Sequence, residues 1–270
     1  MYKFDVEKVT KEIISWIREW FDENGKDCNA IIGISGGKDS TVVAKLLVEA
    51  LGNNRVIGVM MPNHIQDDFN DSIRVCKLLD IVNYTVDIGV AYDALLNNIH
   101  FRTDIDEFSD QTLINLPPRL RMSTLYAIGQ SKNGRVVNTC NLSETLLSWE
   151  TRWGDAVGDF SPIVNLTVEE VKAIGHYLGL PADLVDKIPA DGLCGSDDET
   201  KLGMKYQEVD DYIRRNQVNE DLKEKIDSRV KFYEFKRKPI PAYDPKLPNH
   251  VLLWKKRLFL NQGDAIFPPK

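Results

Sequence analysis

Long apolar runs and a secretory signal are both missing from this chain of 270 residues. No stretch approaches the roughly 18 consecutive apolar residues that a membrane-spanning helix needs. The N-terminus, "MYKFDVEKVTKEIISWIREW", is amphipathic and charged, unlike a signal sequence. We therefore expect a cytoplasmic protein with no membrane partner.

Cysteine is scarce, and its spacing is unlike that of a metal site. The four cysteines form no CxxC pair and have no histidines at metal-ligand spacing: Cys28, Cys76, Cys140 and Cys194. This pattern argues against a zinc site and against a disulfide framework. Buried or incidental thiols are the simpler interpretation.

Positive charge is also in the minority. The chain has 34 Lys and Arg residues against 41 Asp and Glu residues, for a formal net charge of -7. Such a balance opposes nonspecific attraction to polyanions. We expect small-molecule partners and no nucleic acid.

What the chain does contain is an alternation of short apolar runs and helical patterns. An opening helix over about residues 5 to 22 precedes the buried strand "NAIIGIS". A second buried strand is predicted in "RVIGVMMP", and further strands are predicted in "VNYTVDIG" and "RVVNTC". Helical periodicity between them predicts an α/β fold, a parallel twisted sheet with helices on both faces. The helix before the fourth strand is expected to begin only after Pro117 and Pro118, because proline disrupts a helix interior.

The C-terminal third departs from this alternation. Thr167 and Glu170 form a plausible capping box at the start of a helix, whereas "KIPADGLCGSDDETKLG" is predicted to be a long loop. Further helices and a proline-rich arm are predicted over about residues 204 to 270. We expect a single domain over residues 1 to 270, with its core at about residues 28 to 180.

The loop "SGGKDS", residues 35 to 40, follows the first predicted strand. A Walker A loop is excluded because Ile32 stands where its first glycine belongs and Asp39 follows the lysine; Ser35 likewise breaks a GxGxxG motif. The glycine pair and the N-terminus of the next helix still suit a phosphate. Because a carboxylate beside a phosphate needs a divalent cation between them, Asp39 predicts Mg²⁺.

"SGGKDS" matches the SGGxDS pattern of the ATP pyrophosphatase, or PP-loop, superfamily, whose members cleave ATP between the α- and β-phosphates. "LPPRLRMSTLYAIG", "NTCNLSE", "TRWGDAVGDF" and "SDDETKLG" follow in the order and at the separations found in NAD synthetases. The chain thus resembles the shorter, ammonia-using form of that family, with no amidase domain expected before the loop. The resemblance implies an adenine nucleotide alpha hydrolase-like, Rossmann-like fold and a homodimer.

The same resemblance implies roles for individual residues. Those expected to contact ATP are Gly33, Ile34, Ser35, Gly36, Gly37, Lys38, Asp39, Ser40 and Thr139. Those expected to contact the substrate, deamido-NAD, are Arg119, Arg152, Asp155, Asp159 and Lys236. Magnesium is expected on Asp39 and Glu144, which with Lys38 form the catalytic set.

Four positions depart from the family pattern. Lys38 replaces a common glutamine, which predicts an added phosphate contact. The expected ATP-contacting lysine falls on Val168, with Lys172 one turn later as its substitute. Ala190 replaces a threonine, and Phe235 replaces a histidine.

Three local expectations follow from geometry. Glu144 comes just after a strand, as Asp39 does, so both carboxylates are expected at one edge of the sheet. Two arginines, at 119 and 121, diverge by about 200° on a helix, so only one can face a ligand. Trp149 and Trp153 are expected in the core rather than against the substrate.

The implied reaction is ATP-dependent amidation. The carboxylate of deamido-NAD attacks the α-phosphorus, pyrophosphate leaves, and ammonia displaces AMP to form NAD. Closure of residues 190 to 203 is expected to exclude water. Two alternatives remain open: a PP-loop tRNA-modifying adenylase or thiolase, and a nucleotide-binding module without catalysis.

Overall fold

The computed structural model describes residues 2–66, 69–187, 198–215 and 217–243. The strands are β1 (Asn29–Gly33), β2 (Val56–Met60), β3 (Val82–Thr85) and β4 (Gly134–Val136). The α-helices are α1 (Val6–Asn24), α2 (Lys38–Leu51), α3 (Phe69–Leu78), α4 (Gly89–Arg102), α5 (Asp110–Ser131), α6 (Leu142–Leu147), α7 (Val168–Tyr177), α8 (Ala182–Val185), α9 (Asp198–Leu202), α10 (Tyr206–Arg215), α11 (Glu220–Phe232) and α12 (Glu234–Arg237). The predicted arm beyond residue 243, together with Ala190 and Cys194, lies outside the described residues.

The strands form one parallel sheet in the order β3-β2-β1-β4. The chain moves outward from β1 to β3 and then returns to place β4 on the other side of β1. The order therefore reverses at β1, and the loops after β1 and β4 leave the same sheet edge in diverging directions. Open parallel sheets bind ligands at such a point.

Successive side chains of a strand point to opposite faces of the sheet, and each face packs against a different set of helices. Ala30 and Ile32 of β1 belong to the larger core, with α1, α2 and α7, while Ile31 belongs to a second core that includes residues of α5. All three side chains are fully buried. Burial of both faces explains why β1 and β2 are apolar runs. The predicted α/β sheet with helices on both faces is confirmed.

A third apolar cluster joins the C-terminal helices to α6 and α7. Leu147 of α6 and Val168 of α7 pack with Val209 of α10 and Ile226 of α11. The helices predicted after residue 204 thus lie against the segment that carries Glu144. The capping box of Thr167 and Glu170 is confirmed, with both reciprocal hydrogen bonds present.

Two predictions of secondary structure were wrong. α5 begins at Asp110, so Pro117 and Pro118 lie inside it. Proline's fixed φ is compatible with a helix, and packing of α5 on β1 and β4 outweighs the lost donors. The segment predicted as a long loop contains α9, whose end is satisfied when Gly203, at φ 63°, donates to the carbonyl of Glu199.

Candidate active site

The loop between β1 and α2 is shaped by one glycine. Gly36 has φ 77°, and a Cβ there would lie 2.7 Å from the Cβ of Asp71 and 2.9 Å from the backbone nitrogen of Ser72. Only glycine combines this conformation with so close an approach. The loop then turns into α2, and the Gly37 nitrogen donates to Oγ of Ser35 at 3.2 Å.

Lys38 lies between the two carboxylates predicted to bind magnesium. Its Nζ atom is 2.7 Å from Oδ2 of Asp39 and 3.9 Å from Oε1 of Glu144. The lysine side chain is only 3% exposed, whereas those of Asp39 and Glu144 are 17% and 18% exposed. The ammonium also lies over the ring of Tyr206, 5.9 Å from the ring centroid. The fold therefore brings the predicted catalytic residues together.

Asn141 connects the same two carboxylates through its amide. Its Nδ2 donates to Oδ1 of Asp39 at 3.1 Å, and its Oδ1 accepts from the backbone nitrogen of Glu144 at 3.0 Å as the N-cap of α6. The next residue but one, Ser143, donates to Oδ1 of the buried Asp210 at 2.5 Å. This second bond fixes the start of α6 against α10.

A cavity of about 700 Å³ opens at this sheet edge. It is lined by much of the β1–α2 loop and by residues of α5, α6 and the C-terminal helices. Among the residues predicted to bind ligands, its lining includes Gly33, Ile34, Ser35, Gly37, Lys38, Asp39, Ser40, Thr139, Glu144, Asp155 and Lys236. Its volume is that of a typical small-molecule site.

The residues present fit a magnesium ion delivered with phosphate. Mg²⁺ is usually held by one or two carboxylates, with phosphate oxygens and water completing its shell. Asp39 and Glu144 supply two carboxylates on one cavity wall. In the part of the chain that the structure describes, no group of three or more His, Cys, Asp or Glu residues is placed to hold a metal. A magnesium ion held by these two carboxylates would take further ligands from phosphate oxygens and water.

Cations from the C-terminal helices hold the end of α6. Lys236 donates from Nζ to the carbonyls of Ser148 and Glu150 at 2.6 and 2.5 Å. Arg237 donates to the carbonyl of Leu146 and to Oγ of Ser148. Cations suit this position because the C-terminus of a helix carries exposed carbonyls and partial negative charge. Burial lowers the pKa of Lys236.

Glu150 is a buried carboxyl group on the cavity wall that the motifs did not reveal. The residue is 7% exposed, and its Oε2 atom has no hydrogen-bond partner among the described residues. Desolvation by burial raises its pKa to about 7, although Lys236 and Arg237 oppose that shift. Near neutral pH this group is therefore divided between its neutral and charged forms.

Other titratable groups line the same cavity. Asp155 accepts from the backbone nitrogen of Thr151 at 2.8 Å, and desolvation by burial raises its pKa. Burial lowers the pKa of Arg121, whose Nε donates to the carbonyl of Met61 at 3.0 Å. Burial also raises the pKa of Cys140 well above its usual value, which makes this thiol a poor nucleophile.

Several predicted substrate residues lie outside the cavity lining. Arg119 approaches the carbonyl of Arg152 at 3.4 Å, so these two arginines are neighbours. The guanidinium of Arg152 stacks on Trp153, which is 47% exposed, so the expectation of Trp153 in the core was wrong. Asp159 accepts from the backbone nitrogen of Val136 at 2.7 Å and from the hydroxyl of Tyr126.

The substitute lysine is placed elsewhere. Lys172 lies on α7 and is not among the cavity-lining residues, so its predicted contact with ATP receives no support from the structure.

Of the two arginines on α5, Arg121 lines the cavity and Arg119 does not, since their directions diverge on the helix. Lys187 and Lys201 also line the cavity, and neither was predicted. Both come from segments with too little periodicity to place from sequence.

Comparison with known proteins decides the family. The sequence model of the family described as NAD synthase matches residues 9–240. The chain belongs to the NAD synthase family. The resemblance drawn from the motifs is confirmed, and so is the assignment to a ligase family.

Individual relatives agree with this membership. An NH(3)-dependent NAD(+) synthetase from Thermococcus sibiricus is 38% identical over 216 residues, which cover 80% of this chain and 83% of that protein. One from Alkaliphilus metalliredigens is 34% identical over 247 residues, covering 88% and 97%.

Solved structures in the same group share the fold. NMN synthetase from Francisella tularensis has a TM-score of 0.81 and 31% identity, covering 91% of this chain and all of that one. The NH3-dependent NAD synthetase from Campylobacter jejuni has a TM-score of 0.74 and 27% identity, covering 90% of this chain. The cavity described above thus occurs in an NAD synthase fold.

Proposed function

We propose that the protein forms the amide of NAD from deamido-NAD and ammonia, with conversion of ATP to AMP and pyrophosphate. The observation that carries this proposal is the meeting of Asp39, Lys38 and Glu144 at one wall of the cavity, beside the β1–α2 loop. Family membership supplies the class of reaction. The site supplies the groups that the first chemical step needs.

In that step, a carboxylate oxygen of the substrate attacks the α-phosphorus and pyrophosphate departs with the bonding electrons. Negative charge grows on the phosphate oxygens, so stabilisation requires fixed cations and N–H donors rather than a side-chain nucleophile. Backbone N–H groups at the start of α2 and the Lys38 ammonium provide them. Lys187 and Lys201 add positive charge to the same cavity.

Magnesium held by Asp39 and Glu144 would add positive charge for the phosphate oxygens.

In the second step, ammonia adds to the acyl carbon of the adenylate, AMP leaves, and the extra proton is lost. A carboxylate near the acyl group is suited to accept that proton. Asp155 and Glu150 line the cavity and have raised pKa values. The carboxylate of either residue is therefore a stronger proton acceptor than an ordinary Asp or Glu carboxylate.

The two alternatives from the sequence have less support. A thiolase needs a reactive cysteine, yet the described cysteines, Cys28, Cys76 and Cys140, are all buried. A module without catalysis would not need two carboxylates around a lysine at the phosphate loop. Both alternatives are nevertheless distinguished from amidation by the same assay.

A related acceptor has a specific observation in its favour. The solved structure with a TM-score of 0.81 is an NMN synthetase, and its agreement exceeds the 0.74 of the Campylobacter jejuni NAD synthetase. The acceptor would then be the nicotinate mononucleotide, which carries the same carboxylate without the adenosine half. The chemistry on the α-phosphorus would be unchanged.

One assay tests these possibilities. The protein is incubated with ATP, Mg²⁺ and ammonium, and with deamido-NAD, nicotinate mononucleotide or tRNA in separate reactions. We expect AMP, pyrophosphate and NAD in equal amounts with deamido-NAD, and no AMP with tRNA. A much higher kcat/KM with the mononucleotide would assign the second acceptor, and ATP binding without AMP in every reaction would contradict an enzymatic function.

Carboxylate variants test the residue assignment. Asp39→Asn and Glu144→Gln should abolish pyrophosphate release while circular dichroism shows an intact fold. Turnover close to that of the unmodified protein in either variant would remove that residue from the proposed metal site.

We also propose a homodimer, as the family resemblance implies. Val90 and Phe101 of α4 are 73% and 78% exposed, and their spacing of three turns places them on one helix face. Phe101→Glu should lower the molar mass in light scattering from dimer to monomer. A monomeric mass for the unmodified protein would contradict this assembly.

The cytoplasmic location stays a prediction from the sequence. Within the described residues, no helix combines the length and the apolar composition needed to cross a bilayer.

A further inference from the structure

Lys38 occupies the position where a cation is needed, although the family pattern has an uncharged residue there. Its ammonium contacts Oδ2 of Asp39 at 2.7 Å and lies 3.9 Å from Oε1 of Glu144. These are the same two carboxylates that the proposed function assigns to magnesium. A lysine and a divalent cation cannot both occupy the space between them.

The residues around this ammonium bury it and hold its partner Asp39 in place. The Lys38 side chain is 3% exposed. The Tyr206 ring faces the ammonium, and Asn141 holds the other oxygen of Asp39 at 3.1 Å. A buried ammonium of this kind persists where carboxylates compensate for its lost hydration. The position of Lys38 is therefore determined by the fold and by the two acids together.

We propose that the Lys38 ammonium is a built-in cation that holds Asp39 and Glu144 together in the nucleotide-free protein, so that the divalent metal enters only with the triphosphate. This inference rests on the proposed function, because it concerns the same site. Metal alone must displace an ammonium and gains only two carboxylates. Metal that arrives on ATP brings phosphate oxygens, and those oxygens also offer the displaced ammonium a new partner.

The exchange gives Lys38 a different role in each state. Before binding, it neutralises one of two adjacent negative charges and keeps the carboxylates in place. After binding, it contributes a cation to the phosphates, as predicted for the loop. A glutamine at this position would remove one positive charge from beside these carboxylates, and the nucleotide-free protein would then attract divalent cations more strongly.

Binding of Mn²⁺, a spectroscopic substitute for Mg²⁺, tests the proposal. Mn²⁺ is titrated into the nucleotide-free protein and followed by electron paramagnetic resonance, for the unmodified protein and for Lys38→Gln, Lys38→Met and Lys45→Gln. Lys45 is the matched control because it lies on the same helix but does not line the cavity. Its Nζ atom pairs with Oε1 of Glu49 at 2.6 Å. Circular dichroism and thermal unfolding establish that each variant is folded.

We expect Lys38→Gln and Lys38→Met to bind Mn²⁺ at least about tenfold more tightly than the unmodified protein and Lys45→Gln do. Addition of Asp39→Asn to Lys38→Gln should abolish the gain, which locates the ion. With the nonhydrolysable α,β-methylene analogue of ATP, the difference between Lys38→Gln and the unmodified protein should shrink to less than about threefold. Equal Mn²⁺ affinity in the nucleotide-free unmodified protein and in both folded Lys38 variants would overturn the proposal.

The readout separates this inference from the proposed function. Mn²⁺ binding requires neither deamido-NAD nor ammonia. If NAD is formed but Mn²⁺ affinity does not respond to Lys38, only the exchange fails. If Mn²⁺ affinity responds as expected but no acceptor is amidated, the proposed function fails and the cation role of Lys38 stands.

Discussion

Asn141 donates from Nδ2 to Oδ1 of Asp39 at 3.1 Å, across a sequence separation of 102 residues. Its own Oδ1 accepts from the backbone of Glu144 and caps α6. One side chain therefore orients the carboxylate that follows β1 and begins the helix that carries the second carboxylate after β4. The site depends on this amide in two ways, as the donor to Asp39 and as the cap of α6.

Asn141→Ala removes the cap and the partner of Asp39. We expect a loss of about 1 kcal/mol in the free energy of unfolding and a loss of about tenfold or more in kcat, because the carboxylate is no longer oriented. Urea unfolding and the NAD assay measure the two effects. Asn219 caps α11 in the same manner, by accepting from Leu222 at 2.8 Å. Asn219→Ala removes only a cap, so it should cost no more stability than Asn141→Ala does and should keep kcat. An equal loss of kcat in both variants would refute the orienting role.

Gly36 and Gly52 share a positive φ, but only Gly36 is also in close contact with neighbouring atoms. Alanine variants of the two can therefore distinguish the cost of the backbone conformation from the cost of a collision. Both have positive φ, 77° and 82°, but a Cβ on Gly52 would meet nothing within 4 Å. Gly52→Ala should cost about 1 to 2 kcal/mol of unfolding free energy, from its backbone conformation alone, and leave turnover intact. Gly36→Ala should cost about 2 to 5 kcal/mol, since the added methyl group also collides with Asp71 and Ser72, and should abolish AMP formation. Equal costs for the two variants would contradict the packing seen at the loop.

Glu150 makes stability depend on pH in a specific direction. Its pKa is raised from 4.5 to about 7 in the folded protein. Below pH 4.5 the carboxyl is protonated in both states and contributes nothing. As the pH rises from 4.5 towards 7, Glu150 ionises in the unfolded chain before it ionises in the folded protein. The free energy of unfolding therefore falls by up to about 3 kcal/mol by pH 8.

Glu150→Gln removes this titration. Relative to the unmodified protein, the variant should gain unfolding free energy progressively from pH 5 to pH 8, as measured by urea unfolding at each pH. Glu23→Gln, at an exposed position on α1, serves as the control and should show no such trend. A constant difference between Glu150→Gln and the unmodified protein across this range would contradict the raised pKa.

Lys236 and Lys238 differ in what their ammonium groups contact. Lys236 donates to two carbonyls at the end of α6. Lys238 follows α12 directly and forms an exposed ion pair with Glu234 at 2.9 Å. Lys236→Met should cost about 1 to 3 kcal/mol and lower kcat/KM, because the carbonyls of Ser148 and Glu150 lose their donor. Lys238→Met should stay within about 0.5 kcal/mol. If both variants behave alike in unfolding and turnover, the C-terminal helices do not hold α6 through Lys236.

The strands and the phosphate loop could be predicted because their signals are local. β1 and β2 are apolar runs with turns at their ends, and the loop of residues 35 to 40 is a contiguous motif. Pro117 and Pro118 misled prediction, since tertiary packing of α5 outweighs their local preference.

Long-range contacts explain what the sequence did not reveal at the site. The pairing of Lys38 with Glu144, the burial of Glu150 and the donors from Lys236 join segments separated by 86 to 106 residues or depend on the closed fold. No local pattern marks them. Glu150 in particular is one acidic residue among many until its burial is known.

We propose that the acceptor's carboxylate attacks the α-phosphorus of ATP at the wall formed by Lys38, Asp39 and Glu144. Deamido-NAD labelled with oxygen-18 in its carboxylate tests it most directly, with mass spectrometry of the products after one turnover in the presence of ammonium. Attack by the carboxylate transfers one labelled oxygen to AMP and leaves the other in the amide of NAD, with none in pyrophosphate. Unlabelled AMP, or label in pyrophosphate, would contradict the mechanism.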